Sequence, residues 1–293
     1  MLRLPIRDGL GPARLEAVID HPDFPLSDPV LVHDRGGSRV VRARLGERQV
    51  AVKSGTAWGT NRWVALAPVR EAQVLRALGR WAVDGTTDAG TWHVQDWHEG
   101  RRLDEALTPD SPYEVVRESA FRAAAALAAL HEAGWVHGDL QPDHVILTPP
   151  GQPDVLIDLA LAQPLRGLRR PPVDFPHPGQ SVLYEPPEIA AAVLAGRRPV
   201  PSTSSDVWSL AASCVMAFTG RTVIDMPWPR EDDIARVEQR SAIAAGVRRR
   251  FRVPGQIGAV LEAALSPVPS HRPAAAEMAA WLGSSARGGE LCS

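Results

Sequence analysis

Between Pro29 and Gly55 apolar residues alternate with polar ones or gather in β-branched runs, PVLVHDRGGSRVVRARLGERQVAVKSG, broken at Gly36-Gly37 and again at Gly46. Alternation with period two, interrupted by glycine, predicts three strands joined by two turns. The period then changes. In VALAPVREAQVLRALGRW the apolar residues recur at helical spacing up to Gly79, which predicts one helix with a glycine stop. The β pattern returns only briefly, at TWHVQDWHEG. Beyond Gly100 the chain reads as mostly helical, above all in YEVVRESAFRAAAALAALHEAG and SSDVWSLAASCVMAFTG. A short β-rich interruption, HVILTPPGQPDVLIDLALA, separates those two helices.

A small β-rich half with one helix, followed by a larger helical half with a hairpin inside it, predicts an α+β fold of two parts. The parts should meet near Trp97–Gly100, a natural hinge. Residues 1–27 are punctuated by Pro5, Pro12, Pro22 and Pro25, with one short amphipathic stretch, ARLEAVI, between them. They are expected to form an extension. The two parts proper should span 28–98 and 99–282, and GSSARGGELCS, within 283–293, is expected to be disordered.

Composition narrows the classes. A hydrophobic fraction of 44% and a charged fraction of 23% in 293 residues are ordinary for a chain that buries a real core. A net charge of −2 gives no sign of a nucleic-acid partner or a membrane surface. Cys214 lies in an apolar run and Cys292 near the end, which argues against a disulfide framework and for a reducing compartment. With no signal-peptide core and no apolar stretch of roughly 18 residues, the expected location is cytoplasmic. Abundant Ala, Arg, Pro and Gly with little Lys suggests a high-GC bacterial source. The basic run Gly246–Arg252 is read as a solvated helix face, the Trp residues as core, and Cys214 as buried and inert.

The chemistry concentrates in His137-Gly-Asp-Leu-Gln-Pro-Asp-His144-Val-Ile-Leu, directly after the long helix and before the hairpin. Further along stands Ile157-Asp158-Leu-Ala-Leu-Ala. Upstream, Val50-Ala51-Val52-Lys53 lies on a predicted strand and Glu71 on the predicted helix.

These segments resemble the protein-kinase superfamily. HGDLQPDH is similar to the catalytic loop H-R-D-L-x-x-x-N, IDLALA to the segment of the metal-binding Asp, and VAVK to the V-A-I-K strand. The resemblance covers roughly residues 29 to 282 and implies a bilobal fold, an N-lobe at 28–98, a C-lobe at 99–282 and a nucleotide cleft between them. It implies that Asp139 is the catalytic base and that Gln141 could donate to the γ-phosphate. Lys53, oriented by Glu71, would meet the α/β-phosphates, and Asp158 would hold Mg²⁺ or Mn²⁺, with His144 as second metal ligand. Gly36 and Gly37 would cover the phosphates. Val40, Ala51 and Ile146 would enclose adenine, with the hinge residues Asp96 and His98 beside it. Three further matches support the architecture. Ser181-Val-Leu-Tyr-Glu-Pro-Pro-Glu188 resembles the T-P-x-Y-x-A-P-E that closes the activation segment. Asp206-Val-Trp208 resembles the D-x-W of a buried helix, and Arg272 the arginine that pairs with Glu188.

The chain departs from that pattern in five places. The glycine loop is shortened, the Arg of H-R-D is Gly138 and the following Lys is Gln141. The metal-binding Asn is His144, whose imidazole suits Mn²⁺ better than Mg²⁺, and the glycine after Asp158 is Ala160. Gly138 and Gln141 resemble small-molecule kinases more than serine/threonine kinases. Two classes therefore stand at this point. One is an ATP-dependent phosphotransferase acting on a Ser/Thr hydroxyl of a protein or peptide, or on a small molecule. The other is a pseudokinase that binds nucleotide or serves as a scaffold. Residues 159–180 contain no Ser, Thr or Tyr, so activity should not depend on phosphorylating that segment. The oligomeric state is left open.

Overall fold

In the computed structural model the described residues are 25–225, 233–249, 251, 253 and 255–284. The expected extension and tail lie, apart from residues 25–27 and 283–284, outside them. The fold is α+β and divides into two compact units. One comprises residues up to His98 together with Asp158–Ala162 and Gly167–Pro176; the other comprises Glu99–Ile157, Gln163–Arg166 and the rest from His177.

The first unit is built on β1 (Leu26–Arg35), β2 (Ser38–Leu45), β3 (Arg48–Thr56), α1 (Ala67–Ala77), β4 (Ala82–Thr87) and β5 (Gly90–Asp96). The strands form one antiparallel sheet in the order β1-β2-β3-β5-β4. The three strands predicted between Pro29 and Gly55 are present. Strand β4 was missed, because WAVDGTTD lacks a clean alternation and gains its stability by pairing with β5. The predicted helix is shorter than its apolar pattern. Residues Arg62–Ala65 form a 3₁₀ turn, Pro68 fixes the first turn of α1, and Gly79 adopts φ +72° just beyond its end. Register sorts the sheet into two faces. Val41, Ala43, Val50, Val52, Trp92 and Val94 form an apolar cluster on one. Val40, Lys53 and His93 pair across β2, β3 and β5 on the other, with Ala51 two residues before Lys53.

The second unit contains β6 (Arg101–Arg102), α2 (Leu103–Ala106), α3 (Tyr113–Glu132), β7 (Trp135–Val136), β8 (Val145–Leu147), β9 (Val155–Leu156) and β10 (Gln163–Pro164). It continues with α4 (Pro187–Leu194), α5 (Thr203–Thr219), α6 (Asp233–Ala244), α7 (Gly255–Ala264) and α8 (Ala275–Gly283). Helix α3 is alanine-rich and buries Val116, Ala120, Ala123, Leu127 and Leu130, a stripe with helical spacing that packs on α8. Helix α5 is capped by Ser202, whose hydroxyl accepts from the Ser205 N–H, and ends at Gly220 in the left-handed region. It is buried from Ser205 to Val215, and burial pushes the Cys214 thiol up to about 12, so that thiol is inert. The basic run is not a helix face. Helix α6 ends before it, Arg248 bridges Ile224 in an extended backbone, and Arg248 and Arg249 pair with Glu262 and Asp225; Arg250 and Arg252 fall outside the described residues. No helix among the described residues is long and apolar enough to cross a membrane.

Candidate active site

In the first unit the strand register sets Lys53 on the face of β3 that α1 covers. Its ammonium lies 2.6 Å from Glu71 Oε2 and 2.9 Å from Asp158 Oδ1. The Glu71 side chain is 1% exposed, and its other oxygen accepts the Leu159 N–H at 3.3 Å. Burial alone would pull the Lys53 pKa down, but Asp158 and Glu71 together outweigh it and hold the ammonium above the ordinary lysine value. Burial pushes Glu71 up, and Lys53 opposes the push. A cation held so firmly between two acids is a fixed point charge. Asp158 itself is a non-glycine residue at φ 57°, a conformation that Asp tolerates at a cost of about 1 kcal/mol and that recurs where a side chain must be aimed.

Val40, Ala51, Lys53, Glu71 and Asp158 thus belong to one unit, and the first three share one sheet face by register. Gly36 and Gly37 form a two-residue turn with φ +60° and +83°. A Cβ at Gly37 would collide with the Thr56 carbonyl oxygen, and the Thr56 N–H donates to the Gly37 carbonyl at 2.8 Å, so only glycine lets this turn lie so close to β3. The Asp96 carboxylate faces Arg48, and His98 Nε2 lies 2.8 Å from Arg80 Nη2. Burial first, and Arg80 second, lower His98 to about 4, so its imidazole is neutral at pH 7.

His93 stands in none of the motifs read from the sequence. It is fully buried on the Lys53 face, with Nε2 4.0 Å from Glu71 Oε2. Burial, then Lys53, lowers its pKa from 6.5 to about 3. The folded protein therefore refuses a proton that the unfolded chain accepts below pH 6.5. Stability is whole above that value and falls as the pH drops toward the folded value. From pH 7 to pH 5 His93 alone should cost about 2 kcal/mol, and denaturant midpoints of His93→Phe should show that slope removed. An unchanged slope in the variant would show that other groups carry it.

In the second unit the loop 137–144 hangs from a buried carboxylate. Asp206, 0% exposed on α5, accepts the His137 N–H at 2.7 Å and the Gly138 N–H at 2.9 Å, and His131 Nε2 lies 3.0 Å away. Gly138 has φ +80°, so a side chain in the place of the missing arginine would be strained. The Asp139 N–H donates to His137 Nδ1 at 3.3 Å, which makes His137 Nε2 the donor to the Ile157 carbonyl at 3.0 Å.

Asp139 is half-buried. Its Oδ1 accepts the Ser181 N–H at 3.0 Å and its Oδ2 accepts Gln141 Nε2 at 3.1 Å. Gln141 therefore orients the acid. The Ser181 contact runs through the backbone, so the hydroxyl is not the group that touches Asp139. His144 Nδ1 lies 2.9 Å from the Asp139 carbonyl, a bond that fixes the tautomer with the lone pair on Nε2. Ile146 is buried in β8.

The sequence pattern had no signal for several supports of this loop. His177 Nε2 donates to the Gly138 carbonyl at 3.0 Å while its Nδ1 accepts the Gly179 N–H. Glu185, buried, accepts Arg240 Nε at 2.9 Å and the Gln180 N–H at 2.9 Å. The Arg272–Glu188 pair, by contrast, was expected from the sequence: Arg272 meets Glu188 through two nitrogens at 2.7 and 2.8 Å and stands over the Trp208 ring. Among the described residues no three His, Cys, Asp or Glu side chains converge as a ready-made metal cage. The donor set fits a hard cation that takes one or two carboxylates and completes its shell with phosphate and water: Asp158 offers a part-exposed carboxylate.

Residues 46–164 match the phosphotransferase enzyme family (APH). The chain is 30% identical to serine/threonine-protein kinase PknK of Mycobacterium tuberculosis over 186 residues, 62% of this chain and 16% of that protein. It is 29% identical to serine/threonine-protein kinase pkn2 of Myxococcus xanthus, over 55% of this chain and 20% of that protein. It is 28% identical to serine/threonine-protein kinase C of Synechocystis sp., over 44% of this chain and 24% of that protein. The match thus spans less than a quarter of each relative.

Proposed function

We infer that this chain, a member of the protein-kinase-like superfamily, transfers the γ-phosphate of ATP to a Ser or Thr hydroxyl of a protein or peptide. The observation that carries the reading is the half-buried Lys53 ammonium held between Glu71 and Asp158. Lys53 meets the nucleotide phosphates as a point charge, and Glu71 keeps it there. Asp158 would hold a divalent cation, Mg²⁺ or Mn²⁺, and His144 is the second ligand the resemblance suggests; the cation would supply neutralising charge to the phosphoryl oxygens. Asp139 accepts the proton of the attacking hydroxyl, and Gln141 and the Ser181 amide fix its two oxygens so that little reorganisation accompanies the transfer. Gly36, Gly37, Val40, Ala51, Ile146, Asp96 and His98 contribute to the nucleotide site.

A protein substrate is favoured over a small molecule by the resemblance of Ser181–Glu188, Asp206-Val-Trp208 and Arg272 to protein-kinase motifs, and by the relatives that are serine/threonine-protein kinases. The small-molecule reading rests on Gly138 and Gln141. The compartment proposed is the cytoplasm.

Nucleotide binding gives the first test. ATP with Mg²⁺ or Mn²⁺ at about 100 times its Kd should stabilise the protein by about 2.7 kcal/mol, a rise of several degrees in Tm. No shift with either metal at saturating nucleotide would remove the basis of this reading.

A further inference from the structure

Arg70 precedes Glu71 on α1, and its side chain is wholly buried. Its Nη1 donates to the Ala160 carbonyl at 2.6 Å, its Nε stands 3.6 Å from Asp174 Oδ1, and its guanidinium carbon lies 5.3 Å from the centre of the Phe175 ring. These partners come from the stretch that follows Asp158, not from α1. The same stretch is tied to the helix again by the Val173 N–H, which donates to Gln73 Oε1 at 2.9 Å, and by Phe175, whose ring centre lies 5.6 Å from that of Trp63. All these residues belong to the first unit.

A guanidinium taken wholly out of water is costly unless opposite charge and acceptors meet it, and removing its carboxylate leaves that cost uncompensated. The position of α1 is therefore coupled to the position of residues 159–176. Because Glu71 is the next residue, the coupling reaches Lys53. Where a kinase is switched by phosphorylation, an added charge orders this stretch. Here residues 159–180 offer no hydroxyl, and the negative charge facing the buried arginine is encoded.

We propose that Asp174 is a positioning residue for phosphotransfer: its carboxylate, set against buried Arg70, holds α1 so that Glu71 stays on Lys53, and makes the assembled state permanent without phosphorylation. The inference rests on the phosphotransfer reading for its kinetic consequence alone. The experiment compares the full-length wild type with Asp174→Asn and Asp174→Glu, by hydrogen exchange of residues 67–77 and by steady-state kinetics. In Asp174→Asn, exchange in 67–77 should quicken and kcat should fall, each roughly 10-fold, with KM for ATP moving less. Asp174→Glu, which restores the charge, should bring both back to within about 3-fold of wild type. Exchange at the wild-type rate in Asp174→Asn, or equal damage in Asn and Glu variants, would overturn the proposal. A wild type that transfers no phosphate would sink the functional reading alone, since the exchange comparison still decides whether Asp174 holds α1.

Discussion

Asp139→Asn should bind ATP as the wild type does and transfer phosphate about 10²–10⁴-fold more slowly. The geometry explains why binding and chemistry separate. Asn keeps an oxygen for the Ser181 N–H, and the Gln141 amide can turn its oxygen toward the new NH₂ group, so the loop stays where Asp206 holds it. What is lost is the negative charge and, with it, the capacity to take a proton. The check is kcat from a phosphotransfer assay beside the nucleotide-induced Tm shift of the same preparation. Equal losses in both would mean that Asp139 supports the fold of the site and not the proton transfer.

The second large effect is expected at Lys53. Lys53→Met leaves Glu71 buried without its cation and should destabilise the protein by about 3–5 kcal/mol at pH 7 and above. Glu71 can escape by binding a proton, because burial already raises its pKa. Its folded value then lies above its unfolded one, so the penalty grows as the pH rises beyond the ordinary carboxylate range and vanishes below it. Lys53→Met combined with Glu71→Gln should recover most of the stability while leaving phosphotransfer abolished. Denaturant melts of the three proteins at pH 5 and pH 8 measure this. A double variant as unstable as the single one would show that Lys53 holds the fold through something other than Glu71.

What could be read from the sequence follows a physical line. Strands β1–β3, helix α1 and helices α3 and α5 were legible because periodic burial and glycine stops are local signals. Lys53, Glu71 and Asp158 were picked out as a group by residue type and spacing, and the structure brings the three into direct contact; Asp139 was picked out by the same pattern, and its role is part of the proposal. Strand β4 was not legible, since its stability comes from β5. The supports were illegible for a similar reason. Arg70, His93, His177 and the Glu185–Arg240 pair act through partners distant in sequence, and nothing in their neighbours announces that they are buried. Ser181 shows a further limit: its position was legible, but the group that touches Asp139 is the backbone amide, which any residue except proline could supply.

The account's central claim, that this chain moves a phosphoryl group from ATP with Asp139 as base, is tested most directly by γ-labelled ATP. Purified wild type and Asp139→Asn would be incubated with the labelled nucleotide, Mg²⁺ or Mn²⁺, and a mixture of proteins and peptides from a bacterial extract freed of endogenous kinase activity. The account predicts label on Ser or Thr with the wild type and at least about 100-fold less with the variant. Label transferred equally by both, or no label from a wild type that binds ATP, would contradict it.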